Sequence, residues 1–169
     1  HIQSYGALGM KPSFNEFFLP EGTELFIYTE DRSTILGPFS HLDNHISNLF
    51  GTELIKGDNI IIEYYEPSNV LMQPQISLSE IVHAYKNLFS YMNENNDRCN
   101  NNVACSEADA YEDQINSVIF LDMGGYICSA ALINNTNFDL TPYVLTAEHC
   151  VEPESPGDYN NYTFYFNHQ

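Results

Sequence analysis

The chain has 169 residues, which is enough for one ordinary domain or two small ones. Its hydrophobic fraction of 43%, with 12 Tyr and 11 Phe, is sufficient for a packed core, so the composition is not that of a disordered protein. Five basic residues against 23 acidic ones give a formal net charge of −18. This balance excludes a nucleic-acid-binding surface and argues against attachment to an anionic membrane surface.

The ends of the chain and its cysteines indicate the class of protein. No apolar run approaches the roughly 18 residues that span a membrane, so we expect no membrane insertion. The segment His1 to Tyr5 has no initiator Met and no apolar signal region, so we expect the chain to begin within a domain. All four cysteines lie in the second half, without the close C-x2-C grouping of a zinc site. This arrangement favours disulfides in a secreted protein, and it suggests two structural units.

The first half is predicted to form short strands separated by turns. Glu24–Tyr28 and Asn59–Tyr65 are rich in β-branched and aromatic residues, and Gln75–Val82 alternates apolar and polar positions. Strands at this spacing predict an all-β fold, with an antiparallel, jelly-roll-like β-sandwich over residues 1–90.

A polar, Asn-rich run at residues 93–102 cannot bury enough apolar surface to belong to a core. We therefore predict a linker at residues 91–98 and a second unit at residues 99–169. The strands predicted there are Asn116–Leu121, Tyr126–Ile133, Tyr143–Leu145 and Tyr162–Phe166, with a hairpin turn at Gly124 and Gly125.

Two histidines of the first half are candidate ligands of a metal ion. His41 and His45 are four residues apart and flank Asp43. That spacing brings imidazoles together only on a helix, and the surrounding Asn, Asp and Ser residues favour a loop. We therefore predict no metal site, and nothing in the sequence calls for a cofactor.

Two motifs of the second half resemble a known family. Cys128–Asn135 reads CSAALINN, and Tyr143–Cys150 reads YVLTAEHC, in which an apolar strand and a small-residue turn deliver His149 beside Cys150. In this order and at this separation they resemble the start of the catalytic domain in bacterial lysyl-endopeptidase-like members of the trypsin/chymotrypsin superfamily. The resemblance covers about residues 99–169. It implies the first, incomplete part of a chymotrypsin-like β-barrel.

The resemblance implies a role for several residues. His149 matches the general base of the catalytic triad, and Cys128 with Cys150 matches a disulfide that holds the histidine loop. Cys99 and Cys105 resemble cysteines that bond partners further along the family's proteins, although they could instead pair with each other or stay free.

The resemblance assigns neither the aspartate nor the serine of a triad within these 169 residues. Asp158, the only Asp after His149, lies in a Pro-Gly context typical of a surface loop. The resemblance therefore implies a fragment of a secreted or cell-surface serine endopeptidase acting on proteins or peptides, and it leaves open whether the chain itself is an enzyme. We do not expect the isolated chain to be active.

The first half has a looser resemblance to the same family. The segments LPEGTELFIYTED and IKGDNIIIEYYEP are similar to the β-rich region that precedes the protease domain in such precursors. This implies a pro- or accessory domain, with a processing point in residues 90–98. The nearest basic residues are Lys86 and Arg98. The alternatives are a non-catalytic module that binds a partner protein or the secretion machinery, a secretion passenger, or a pseudoprotease.

Overall fold

The computed structural model describes residues 1–86, 103, 105–124, 126–151 and 159–166. The chain divides into two compact units, His1–Asn87 and Leu88–Gln169. Taken together, the described residues form mostly strands in antiparallel sheets, with little helix, which confirms the prediction of an all-β fold. The predicted linker at residues 91–98 lies outside the described residues. Among the described residues, none of the helices has the length and apolar character that a membrane crossing requires.

Two antiparallel sheets make up the first unit. Its strands are β1 (Ile2–Gln3), β2 (Gly9–Phe18), β3 (Glu24–Tyr28), β4 (Ile35–Phe39), β5 (Phe50–Gly51), β6 (Ile55–Lys56), β7 (Asn59–Tyr65) and β8 (Gln75–Ala84). One sheet has the order β1-β7-β3-β4. In the other, β2 is central, with β8 along one side and the short strands β5 and β6 along the other. A short 3₁₀ helix, His41–Asp43, lies between β4 and β5.

Both sheets of the first unit contribute to one core. Its fully buried members include Met10, Phe14 and Phe17 of β2, Leu25 and Ile27 of β3, Ile55 of β6 and Ile60 of β7. The rings of Phe17 and Phe50 stack with their centroids 4.0 Å apart. Apolar side chains from both sheets meet in this cluster, so the sheets stabilise each other by removing apolar surface from water.

Strand β4 was not predicted, because it contains Gly37 and Pro38, which normally mark a turn. Gly37 is required by its backbone: its φ is +108°, and a Cβ there would lie 2.6 Å from the carbonyl oxygen of Leu25. The strands predicted at Glu24–Tyr28 and Asn59–Tyr65 are present as β3 and β7.

The described residues of the second unit form one four-stranded antiparallel sheet. Its elements are a 3₁₀ helix (Ser106–Tyr111), α1 (Glu112–Ser117), β9 (Val118–Asp122), β10 (Ile127–Ile133), β11 (Tyr143–Thr146) and β12 (Thr163–Phe166). The strand order is β11-β10-β9-β12. Ile119 and Leu121, on the same side of β9, are buried.

The predicted start of the first strand in this unit was wrong. Asn116 and Ser117 belong to α1, where the Ser117 hydroxyl donates a hydrogen bond to the carbonyl oxygen of Gln114 at 2.7 Å. The backbone becomes extended only at Val118, whose amide closes the helix by donating to Ile115. Local hydrogen bonds of this kind compete with strand pairing and are not visible in an apolar pattern.

Candidate active site

The pairing of β11 with β10 positions the segment that carries His149. In this antiparallel pair Ala130 lies opposite Thr146, and Ile133 lies opposite Tyr143. The Thr146 hydroxyl donates a hydrogen bond to the carbonyl oxygen of Ser129 at 2.9 Å. The last residue of β11 is therefore attached to β10 by a side-chain hydrogen bond as well as by the strand pairing.

The turn between β10 and β11 is organised by Asp139. Its carboxylate accepts hydrogen bonds from the Asn135 side-chain amide at 2.7 Å and from the backbone amide of Thr141 at 3.0 Å. These hydrogen bonds, that of Asn135 first, lower the pKa of Asp139 to about 2. The Asp139 carboxylate is therefore ionised at neutral pH and can accept both hydrogen bonds of the turn that precedes β11. The role of Asp139 was not predicted from the sequence.

His149 lies in a single turn of 3₁₀ helix, Glu148–Cys150, directly after β11. Ala147, before the turn, is extended, with φ −76° and ψ 147°. The Cys150 amide donates to the carbonyl oxygen of Ala147 at 3.0 Å, and the Val151 amide donates to that of Glu148 at 2.9 Å. The side chain of His149 is exposed, so its imidazole is accessible to other molecules.

A disulfide holds this turn against the sheet. The Sγ atoms of Cys128, in β10, and Cys150 are 2.02 Å apart, and the two Cα atoms are 6.2 Å apart. Cys150 is buried, although the neighbouring Glu148 and His149 are exposed. The turn is thus fixed at both ends, by the hydrogen bond of Thr146 before it and by the disulfide after it.

The imidazole of His149 lies close to the disulfide. Among the described residues, one group of metal-ligand types comes together: a ring nitrogen of His149 and the sulfurs of Cys128 and Cys150 lie within 4.8 Å of one another. The two sulfurs are bonded to each other, so neither is the thiolate that binds a metal. This group contains no carboxylate.

The other residues considered from the sequence lie elsewhere or are not described. Cys105 is exposed and forms no disulfide with another described residue. Cys99 and Asp158 lie outside the described residues. His41 belongs to the 3₁₀ helix His41–Asp43, and the Nδ1 atom of His45 is 2.9 Å from the Ser47 hydroxyl.

The comparison with known families agrees with the resemblance. Residues 93–169 match the family model described as the C-terminal domain of lysyl endopeptidase. The second unit is lysyl-endopeptidase-like. The match covers slightly less than half of the chain and includes Cys128, His149 and Cys150. Over residues 93–169 the chain is therefore similar to a domain of a protease. No solved structure matches the chain.

Proposed function

We propose that the lysyl-endopeptidase-like unit is part of a secreted, trypsin-like serine endopeptidase in which His149 is the general base. The observation that carries this proposal is the geometry of the histidine turn. An exposed imidazole lies beside a disulfide, directly after a paired strand, within the region that matches the family.

In such an enzyme the base must be accessible and must not move. Nε2 of the histidine takes the proton of a serine hydroxyl as its oxygen attacks the carbonyl carbon of the substrate, and it later returns the proton to the leaving amine. Exposure of the His149 ring allows contact with a serine and a substrate. The Thr146 hydrogen bond and the Cys128–Cys150 disulfide limit the movement of the turn, which favours a fixed geometry for proton transfer.

The remaining catalytic groups are not assigned within the 169 residues. The base also needs a carboxylate on its other ring nitrogen and a serine within hydrogen-bond distance. We propose that neither is among the 169 residues, so this chain alone is not expected to hydrolyse peptides. The name of the matching family suggests lysyl peptide bonds as the first substrates to test.

We further propose that residues 1–90 form a pro- or accessory domain, followed by a linker at residues 91–98. The compact first unit, His1–Asn87, supports a boundary near this point. Its two sheets contribute no residue to the histidine turn.

The test is peptide hydrolysis by the protein purified from its natural source. In that protein, His149→Ala should lower the rate roughly 10²–10⁴-fold, which is the usual contribution of a general base. Glu148→Gln is the matched control, because Glu148 is an exposed neighbour in the same turn, and it should leave the rate within a small factor. Near-normal hydrolysis by the His149→Ala protein would contradict the proposal, and an inactive wild-type protein would favour a pseudoprotease.

A further inference from the structure

Three loops of the first unit lie at the same end of its sheets. They are residues 19–23 between β2 and β3, residues 40–49 between β4 and β5, and residues 66–74 between β7 and β8. Phe18, the last residue of β2, pairs with Gln75, the first residue of β8. At the same end, Glu24, the first residue of β3, pairs with Tyr65, the last residue of β7, and Leu25 pairs with Phe39, the last residue of β4. We call the surface formed by these three loops the loop-end surface.

The loop-end surface exposes large apolar side chains. Leu42 and Ile46, on the loop of residues 40–49, are 82% and 95% exposed, and Leu71 and Met72, on the loop of residues 66–74, are 95% and 59% exposed. The strand order β1-β7-β3-β4 places these two loops on either side of the loop of residues 19–23. Single exposed apolar residues are common on soluble proteins, but four large ones at one end of a small unit are typical of a binding surface. These side chains contribute little to the core of the unit, since most of their area is in water.

The loop that carries Leu42 is held in one conformation by side-chain hydrogen bonds. The side-chain Nδ2 of Asn44 donates to the carbonyl oxygen of Leu19, and its Oδ1 accepts from the backbone amide of Leu19, both at 2.8 Å. The Ser40 amide donates to Asp43 at 2.7 Å, and the Leu42 amide donates to the Ser40 hydroxyl at 3.2 Å. A loop that is already ordered loses less conformational entropy when it binds, which favours recognition.

The charge of the loop-end surface indicates the chemistry of its partner. The three loops contain Glu21, Asp43 and Glu66, all exposed, and their sequences include no Lys or Arg. A second copy of this chain would bring like charges together, and an anionic membrane would be repelled. A cationic partner would be attracted to the acidic side chains while covering the apolar ones.

We propose that the loop-end surface binds a protein segment that presents apolar side chains flanked by Lys or Arg. The apolar side chains of the segment would contact Leu42, Ile46, Leu71 and Met72, and its cationic groups would lie near the three carboxylates. This site is independent of the histidine turn and of the proposed proteolytic activity.

The experiment measures binding of two synthetic peptides to the full 169-residue chain by calorimetry. One is a short amidated peptide of Leu and Lys, and the other has Glu in place of Lys. Two double variants alter the surface, Leu42→Ser with Ile46→Ser, and Leu71→Ser with Met72→Ser. The control is Ile35→Ser, which removes a similar side chain, 53% exposed, at the opposite end of the sheet.

The proposal expects the Lys peptide to bind the wild-type chain, and each double variant to weaken binding at least tenfold. It expects Ile35→Ser to bind like the wild-type chain and the Glu peptide not to bind. Equal binding by the double variants would overturn it, because the attraction would then depend on the overall charge of −18. An equal loss in Ile35→Ser would also overturn it, because the loss would then not be specific to the loop-end surface. Self-association that the double variants abolish, without binding of the Lys peptide, would instead assign the surface to a second copy.

Discussion

The disulfide beside His149 should account for a large part of the stability of the β10–β11 region. We consider the replacement of Cys128 and Cys150 by Ala. The bond joins residues 22 positions apart. Constraining a loop of that length in the unfolded chain is worth about 3 kcal/mol in the chain-entropy model. Loss of that amount corresponds to a decrease in melting temperature of roughly 12–24 °C for a domain of fewer than 100 residues.

Hydrogen exchange measured by mass spectrometry is the most direct assay, because it reports stability strand by strand. In the double Ala variant, amides of β10 and β11 should exchange up to about 150-fold faster if they exchange by the unfolding that the disulfide opposes. Strands β2, β3 and β7 of the first unit should be unchanged. Since the chain contains no Trp and 12 Tyr, tyrosine emission during urea unfolding gives a second measure of the free energy of unfolding.

The control variant is Cys105→Ser, which removes an exposed thiol that is not bonded to Cys128, Cys150 or any other described residue. It should leave both measurements unchanged. A loss below about 0.5 kcal/mol in the double Ala variant would refute the reasoning, because it would mean that the loop is not constrained in the unfolded state in the way the entropy model requires. A similar loss of stability in the Cys105→Ser variant would show that the loss is not specific to the Cys128–Cys150 disulfide.

The remaining predictions concern three other parts of the chain. Asn44→Ala, which loses two hydrogen bonds to a buried backbone segment, should lower the free energy of unfolding by about 1–3 kcal/mol, whereas Asn69→Ala, at an exposed loop position, should cost almost nothing in urea unfolding. Hydrogen bonds from Thr29 first, and then from Ser33, lower the pKa of Asp31 to about 2. Their contribution to stability should therefore be complete above the ordinary carboxyl pKa near 4 and be lost as the pH falls towards 2. An NMR titration of Asp31 with a midpoint near 4 would contradict this. Limited digestion with trypsin should cut first after Lys86 or Arg98, which flank the proposed boundary, since residues 99–169 contain no Lys or Arg. A first cut within residues 24–65 would contradict the proposed boundary.

The sequence was most informative where local pattern and strand pairing agree. Tyr143–Leu145 is a short apolar run bounded by turn residues, and it pairs with a neighbouring strand along the chain, so its conformation depends on nearby residues. Strand β7 was predictable for a similar reason, because its three consecutive Ile residues suit a half-buried strand.

Features that depend on distant residues could not be predicted in this way. From the sequence, Gly37 suggests a turn. In the structure it lies in a strand, and the carbonyl oxygen of Leu25, on the paired strand, leaves no room for a side chain at this position. The hydrogen bonds between Asn44 and Leu19 join residues 25 positions apart. Strand order determines which loops share an end of a sheet, so the loop-end surface exists only once the pairing of β2, β3, β7 and β8 is known.

The central claim is that His149 acts as a general base, and covalent labelling tests it most directly. A peptidyl chloromethyl ketone ending in Lys is attacked by the histidine ring of a serine protease, so that a nitrogen–carbon bond forms and chloride leaves. In the protein purified from its natural source, mass spectrometry should locate one adduct on His149, with loss of peptide hydrolysis in proportion to labelling. An adduct on any other histidine, or full loss of activity with His149 unmodified, would contradict the account.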